Sequence, residues 1–324
     1  MAFSGPPEMI FGCGGLGNEF VGEEAVKGLL QTLKEAGVNR LDTAALYPPT
    51  DIGASQRLLG QVGAAQLGFA IDSKVMISMT GFEGTLEPEK IVKSAAESRE
   101  ALRLADGQHI HVFYPHAADV ATPLKDQAAG FDAQYRAGMF DKPGGSFSLQ
   151  LGVCNFSADM LADFINICDR EGYVKPTVYQ GLYNLIDRRH EGPVLDIVRK
   201  HGMQFVAHSP HASGFLHGAL TSGQTQGTRF ADGNIMSTDA RRYDKDKYHE
   251  AIRSLDRMLD PHGIPKTEVA LRWLAFHSKL EPRDGIIFGS SKLSQVKLNV
   301  AAIKKGPLPE DIVAALDGIW NIVK

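Results

Sequence analysis

Apolar positions along this chain alternate between two patterns. Short apolar or β-branched runs read as buried strands, and longer stretches with apolar residues three to four apart read as amphipathic helices. Residues 9–11 form the first predicted strand, and GEEAVKGLLQTLKEAG (22–37) a helix stopped by Gly37. The pattern continues with a strand at 40–45, a helix at 54–61 and a strand at 69–79. A helix follows at 86–104, with Pro88 in its first turn, where the missing N–H costs no hydrogen bond. Then come a strand at 109–114, a helix from about 123 to 137 and a strand at 147–155. Ser157 is placed to cap a helix running through Arg170 and ending near Gly172. A strand at 177–184, a helix at 193–201 stopped by Gly202, and a strand at 203–209 follow. The eighth strand is 285–289, with a helix through Ile303 behind it, and 309–324 reads as an added amphipathic helix.

Regular alternation of strand and helix implies a parallel sheet. Eight repeats in one chain favour a closed (β/α)8 TIM barrel over an open doubly wound sheet. No linker composition divides the chain, so residues 1–324 read as a single barrel domain with an extra C-terminal helix. The exception to the rhythm is 210–246, rich in Gly, Ser, Thr and Asp and longer than an ordinary connection. It follows strand seven, which puts a long loop at the C-terminal face, where barrels keep their active sites.

Composition narrows the function classes. The formal net charge of −4 gives no basic field for nucleic acid. No apolar run approaches the roughly 20 residues that a bilayer requires. The opening MAFSGPPEMIF lacks the basic and then apolar segments of a secretory signal. Cys13, Cys154 and Cys168 form neither a CxxC nor a disulfide framework, which fits a reducing, cytoplasmic setting with each thiol as core filler.

FGCGGLG (11–17) matches G-x-G-x-x-G literally. A dinucleotide fingerprint of that type needs its helix to begin at the third glycine. Here Asn18, Glu19, Phe20 and Val21 intervene, so the stretch reads as a strand end and a tight loop at the barrel mouth. His208, His211 and His217 lack the Glu and the helix of a zinc HExxH, so they read as pocket lining and no metal site is expected. Ser209 stands in no nucleophile elbow, which argues against an acyl hydrolase. His109 and His111 share one strand face and read as structure.

The strand ends carry the chemistry. Asp42 closes strand two and Tyr47 follows in its loop; Lys74 lies at or near the end of strand three; His116 stands just past strand four. Together they make an acid catalyst. A phenol titrates near pH 10, too high for efficient proton donation at neutral pH, and an adjacent ammonium lowers that value. A carboxylate on the far side of the lysine keeps it charged, and a histidine places a carbonyl oxygen.

DTAALY with SQRLLG downstream, TVYQGLYN, the Ser-Pro after strand seven and the distal GSS…Q…N resemble the aldo-keto reductases, from about Glu8 to the C-terminus. The chain is most similar to their aflatoxin-aldehyde and succinic-semialdehyde reductase branch. The resemblance implies an NADP-dependent oxidoreductase that takes NADPH, with NADH less favoured, across the barrel mouth. A small-molecule aldehyde or ketone is then reduced by hydride transfer. Tyr47 is the acid, Asp42 and Lys74 tune it, and His116 orients the carbonyl. Asn155 and Gln180 take the nicotinamide carboxamide, and His208 stands where an aromatic residue usually stacks on that ring. Ser209 and the segment through Gly214 and Leu216 line the pyrophosphate, and Arg229 meets a cofactor phosphate. Gly289, Ser290, Ser291, Gln295 and Asn299 hold the adenosine end, with Lys292 or Lys297 left to supply charge. Relatives in this branch also imply a homodimer.

Departures from the family pattern sit in the pocket. Cys154 replaces a serine, His208 an aromatic residue, His211 a leucine and Pro115 a leucine, and YPPTDIG lengthens the loop after Tyr47. They keep open a reductase-like cofactor-binding protein with a regulatory role, and a barrel that isomerises or dehydrates without cofactor.

Overall fold

The structure, a computed structural model, describes residues 5–78, 81–138, 150–234 and 241–324. Eight parallel strands close into a barrel in chain order. They are β1 Glu8–Gly12, β2 Arg40–Asp42, β3 Ala70–Lys74, β4 Val112–Tyr114, β5 Gln150–Cys154, β6 Val178–Leu182, β7 Gln204–His208 and β8 Gly285–Phe288. The helices between them are α1 Gly22–Ala36, α2 Ala54–Gln61, α3 Pro88–Ala101, α4 Leu124–Arg136, α5 Ala158–Glu171 and α6 Pro193–Lys200. This is the expected (β/α)8 barrel, with strands shorter than the apolar runs suggested. Part of the predicted fifth strand, residues 147–149, lies outside the described residues.

Local chemistry explains the boundaries. Helix α1 buries Val26, Leu29, Leu30 and Leu33 on one stripe and stops at Gly37, whose φ of 84° is left-handed. Ser157 caps α5 by accepting from the Met160 N–H at 3.1 Å, and Gly172 closes it at φ 69°. An outer core of apolar residues fills the space between barrel and helices. A second, small cluster of Ile10, Val112, Tyr114, Cys154, Val178, Val206 and Ile287 fills the barrel interior.

Register then decides what shares that interior with them. Asp42 pairs with Gly12 and Asp72, Lys74 with Tyr114, and Cys154 with Gln180. Arg40, buried low in the barrel, donates to Asp72 at 2.9 Å, and Asp72 also bonds His111 at 2.9 Å. Tyr114 lies flat over Gly152, where a Cβ would stand 2.1 Å from the ring.

Beyond β7 the chain carries more helix than expected. A kinked turn, Ala212–His217, leads into the short α7, Ala219–Ser222. Helices α8, Asp246–Leu259, and α9, Lys266–Phe276, precede β8; α10, Leu293–Lys304, and α11, Glu310–Val323, follow it. Within 210–246, residues 235–240 lie outside the described residues. The rest is anchored by aromatic packing, with Phe215 5.7 Å from Tyr243 and 6.3 Å from Phe230. Helix α11 packs on α8. Among the described residues, no helix is long and apolar enough to cross a membrane.

Candidate active site

The loop after β1 prepares the mouth. It leaves β1 at Gly12, and α1 begins only at Gly22, so the glycine-rich stretch is a strand end and loop. The Cys13 N–H donates to Asp42 O at 2.8 Å, and Ser55 Oγ at the start of α2 donates to Cys13 O at 2.9 Å. Ser55 Oγ also bonds Thr43 Oγ1 at 2.8 Å. Tyr47 is fixed by its own backbone, its N–H on Ala44 O at 3.0 Å and its carbonyl accepting from the Ser55 N–H at 3.0 Å. A Cβ on Gly14 would sit 3.8 Å from the Tyr47 ring, so the first loop runs alongside that ring.

Within the barrel, Lys74 Nζ donates to Asp42 at 2.6 and 2.8 Å and to Thr43 O at 2.9 Å. The ammonium lies 5.3 Å from the centre of the Tyr47 ring. On another side the His116 ring meets Tyr47 edge-on, centroids 5.3 Å apart. The four residues expected to act together are therefore gathered in one place.

Their electrostatics follow from burial and pairing. Burial alone would lower the Lys74 ammonium, but Asp42 and then Tyr47 more than reverse it, so Lys74 is held above the usual lysine value. Burial pushes the Asp42 carboxyl up, and Lys74 and the Gln180 amide pull against that rise. His116 is driven well below the usual histidine value by burial, then by Lys74 and His208, so its ring is neutral at pH 7. Its Nδ1 has no hydrogen-bond partner among the described residues.

The remaining expected residues divide into groups. Asn155 and Ser209 directly follow β5 and β7, both with left-handed φ of 56°, as do Ala212 at 51° and Ser213 at 57°. Such angles in non-glycine residues carry strain, and here they cluster at the mouth. His208 bridges Asn155 Oδ1 and Ser209 Oγ, each at 3.1 Å, and burial lowers its pKa to about 3. Gln180 lies deeper and has both amide atoms engaged, Nε2 with Asp42 and Oε1 with the Cys154 thiol. Gly214 has φ 94°, and the Leu216 side chain is buried in the core, which leaves only its backbone near the mouth. Half-exposed Arg229 reaches Glu19 at 4.0 Å, joining the loop after β7 to the loop after β1.

Beyond β8, Gln295 Oε1 accepts from the Ser291 N–H at 2.8 Å, and Asn299 Nδ2 donates to Ser290 Oγ at 3.2 Å and Gly289 O at 3.5 Å. Helix α10 has no side-chain cap and no acidic residue in its first turn. Sequence reasoning passed over Thr43 and Ser55, although Ser55 sits in the SQRLLG stretch it quoted. It also passed over Tyr114, whose hydroxyl has no partner among the described residues, and the Arg40–Asp72 pair beneath the site.

Comparisons with known proteins place the chain in a family. The Aldo/keto reductase family model matches residues 8–321. An aldo-keto reductase of Pseudocercospora fijiensis is 30% identical over 302 residues, covering 91% of this chain and 97% of that protein. Aflatoxin B1 aldehyde reductase member 2 of Mus musculus is 31% identical over 300 residues, covering 89% of this chain and 78% of that protein. An oxidoreductase of Leptosphaeria maculans, sirO, is 29% identical over 303 residues, covering 91% of this chain and 85% of that protein. The chain belongs to the aldo/keto reductase family, an oxidoreductase membership that implies reduction of small carbonyl compounds, with NAD(P)H the family's usual cofactor.

Proposed function

We propose that the protein reduces a small aldehyde or ketone to the alcohol, with NADPH as hydride donor and Tyr47 as general acid. The observation that carries this is the pair of neighbours at Tyr47: a charged Lys74 held by Asp42, at 5.3 Å from the ring, and a neutral His116 ring at 5.3 Å. Lys74 stabilises the phenolate left after proton transfer and so makes Tyr47 a stronger acid. Asp42, paired with it at 2.6 Å, keeps Lys74 ionised. His116, being neutral, offers an N–H to the carbonyl oxygen without competing for its proton.

The mouth fits a dinucleotide. When bound, a reduced nicotinamide supplies hydride to the carbonyl carbon, while Tyr47 delivers the proton to its oxygen. The uncapped N-terminus of α10, with exposed Lys292 before it, suits an anionic phosphate. Ser290, Ser291, Gln295, Asn299 and the Gly289 backbone surround that end. Arg229, Gly214 and the Leu216 backbone lie along the loop that would cover the pyrophosphate. Asn155, Ser209 and the His208 ring would hold the nicotinamide end. NADPH over NADH rests on the resemblance to the aflatoxin-aldehyde branch.

Mixing the protein with NADPH and a panel of aldehydes and ketones tests the reading, with NADPH absorbance as the readout. The expected result is consumption with some members of the panel, abolished in Tyr47→Phe while NADPH still binds. Full turnover by Tyr47→Phe, or NADPH binding with no oxidation across the panel, overturns it.

A further inference from the structure

Asn184 ends the TVYQGLYN stretch, just past β6, and is fully buried. It opens a tight turn, its N–H donating to Asp187 O at 3.1 Å and the Asp187 N–H to Asn184 O at 3.2 Å. Its side-chain Oδ1 accepts from the Ile186 N–H at 3.1 Å, which fixes the way the amide faces. Both Nδ2 hydrogens then have acceptors across the barrel mouth. One goes to Ser209 O at 3.1 Å and the other to the Tyr243 hydroxyl oxygen at 3.3 Å. The turn is itself anchored to the fold. The Arg188 guanidinium lies 4.2 Å from the Trp273 ring of α9 and 5.5 Å from the Trp320 ring of α11, and it meets Asp317 at 3.3 Å.

The two acceptors stand near the two ends of the long segment after β7. Ser209 begins it with a left-handed φ of 56°, and its carbonyl also takes the Ala212 N–H at 2.9 Å. Ala212 and Ser213 follow with left-handed angles of their own. Such angles outside glycine persist only where the surroundings over-determine them. Tyr243 is buried just ahead of α8, its ring centre 5.7 Å from that of Phe215 in the same kinked turn. We propose that Asn184 is a positioning residue whose amide clasps the Ser209 carbonyl and the Tyr243 hydroxyl together, and so holds the 209–216 turn in the shape that grips the cofactor's pyrophosphate. The inference rests on the reading of that turn as part of an NADPH site. It requires no contact between Asn184 and the cofactor, since the side chain is enclosed by protein. Without the clasp the turn relaxes from its strained angles, and bound NADPH leaves faster.

NADPH release, followed by stopped-flow fluorescence without any carbonyl substrate, reads this without turnover. In Asn184→Ala, release is expected to be about tenfold faster. In the same variant without cofactor, the Ala212 amide, which shares the Ser209 carbonyl with Asn184, is expected to exchange its hydrogen about tenfold faster. Asp132→Ala separates a clasp from a general loss of stability, because Asp132 accepts from the Val174 N–H at 2.9 Å, at the opposite end of the barrel. That variant should melt at a lower temperature and release NADPH within about twofold of the unaltered protein. If Asn184→Ala does not fold, Tyr243→Phe keeps the ring on Phe215, removes one end of the clasp and is expected to release NADPH about threefold faster. Unchanged release in folded Asn184→Ala, or in Tyr243→Phe where that stands in, overturns the proposal. Equal acceleration in Asp132→Ala overturns it as well, and so does an Ala212 amide that keeps its protection in Asn184→Ala. Failure of the unaltered protein to bind NADPH counts against the cofactor reading, and the Ala212 exchange then still tests the clasp.

Discussion

Lys74 Nζ lies 2.6 Å from Oδ2 of Asp42, with both side chains buried inside the barrel. Two charges removed from water are tolerable only while they face each other. Asp42→Asn would leave a buried ammonium without its counter-charge. The expected cost is about 3–5 kcal/mol of stability, read by chemical denaturation. The lysine value falls at the same time, Tyr47 loses its stabilising cation, and carbonyl reduction drops by about a hundredfold or more. Wild-type rates in the folded variant would show that the pair is structural and not part of the acid.

Gly152 faces Tyr114 so closely that an added Cβ would meet the ring at 2.1 Å. Tyr114 is fully buried and has no room to yield. Its ring centre lies 5.9 Å from Lys74 Nζ, so a displaced ring moves the floor of the site. Gly152→Ala is expected to destabilise by about 1–3 kcal/mol or more and to lower kcat more than it raises KM. Thermal melting with steady-state kinetics checks both, and an unchanged melting temperature would mean that the barrel interior is looser than this packing implies.

The barrel and the Tyr47 group were legible because both depend on local signals. Alternation shows in the sequence itself, and residues at strand ends converge in any closed barrel. Helix α9 was not legible, because Glu268 through Ala275 are all buried, Glu268 and Arg272 by pairing at 2.9 Å. A helix buried all round loses the stripe that marks it. Helix α8 shows Ala251, Ile252, Leu255 and Leu259 at helical spacing, but the polar stretch before it masked its start. Arg40 and Asp72 carry no mark in the sequence that says their charges face inward. The bond from Gln180 to Asp42 joins residues 138 apart, and no spacing rule anticipates it.

Asp119 ties together two loops beside His116. Its carboxylate accepts from the Gly84 and Leu86 N–H groups at 3.0 and 2.9 Å, and from Ala121 N and Thr122 Oγ1 at 3.0 and 2.7 Å. Burial acts to raise its pKa, and these donors more than reverse that, so the carboxyl is held below the usual aspartate value. Asp119→Ala would strand several N–H groups and is expected to cost about 3 kcal/mol. The loops after β3 and β4 then lose their common anchor, and KM for carbonyl substrates rises more than kcat falls. An unchanged KM would show that these loops do not border the substrate.

Several histidines resist protonation in the folded state, which fixes the sign of the acid response. His116 is driven well below the usual value, His208 to about 3, and His190 and His211 to about 4, in each case mainly by burial. Unfolded histidine takes up its proton near pH 6.5. Between that value and the folded values the unfolded chain therefore binds more protons than the native one. Stability rises with pH across that window and is lost as pH falls through it. Asp72, which burial would raise but Arg40 and His111 pull down, adds its own loss only below about pH 4, where an unfolded aspartate is protonated. Melting temperatures are thus expected to decline from about pH 6.5 downward, before carboxylates titrate. His190 packs against the rings of Tyr179 and Phe205, at 5.6 and 6.0 Å, so His190→Phe keeps an apolar neighbour there without the proton. That variant should show a shallower decline, and an identical slope would mean that His190 is not among the groups that acid must charge.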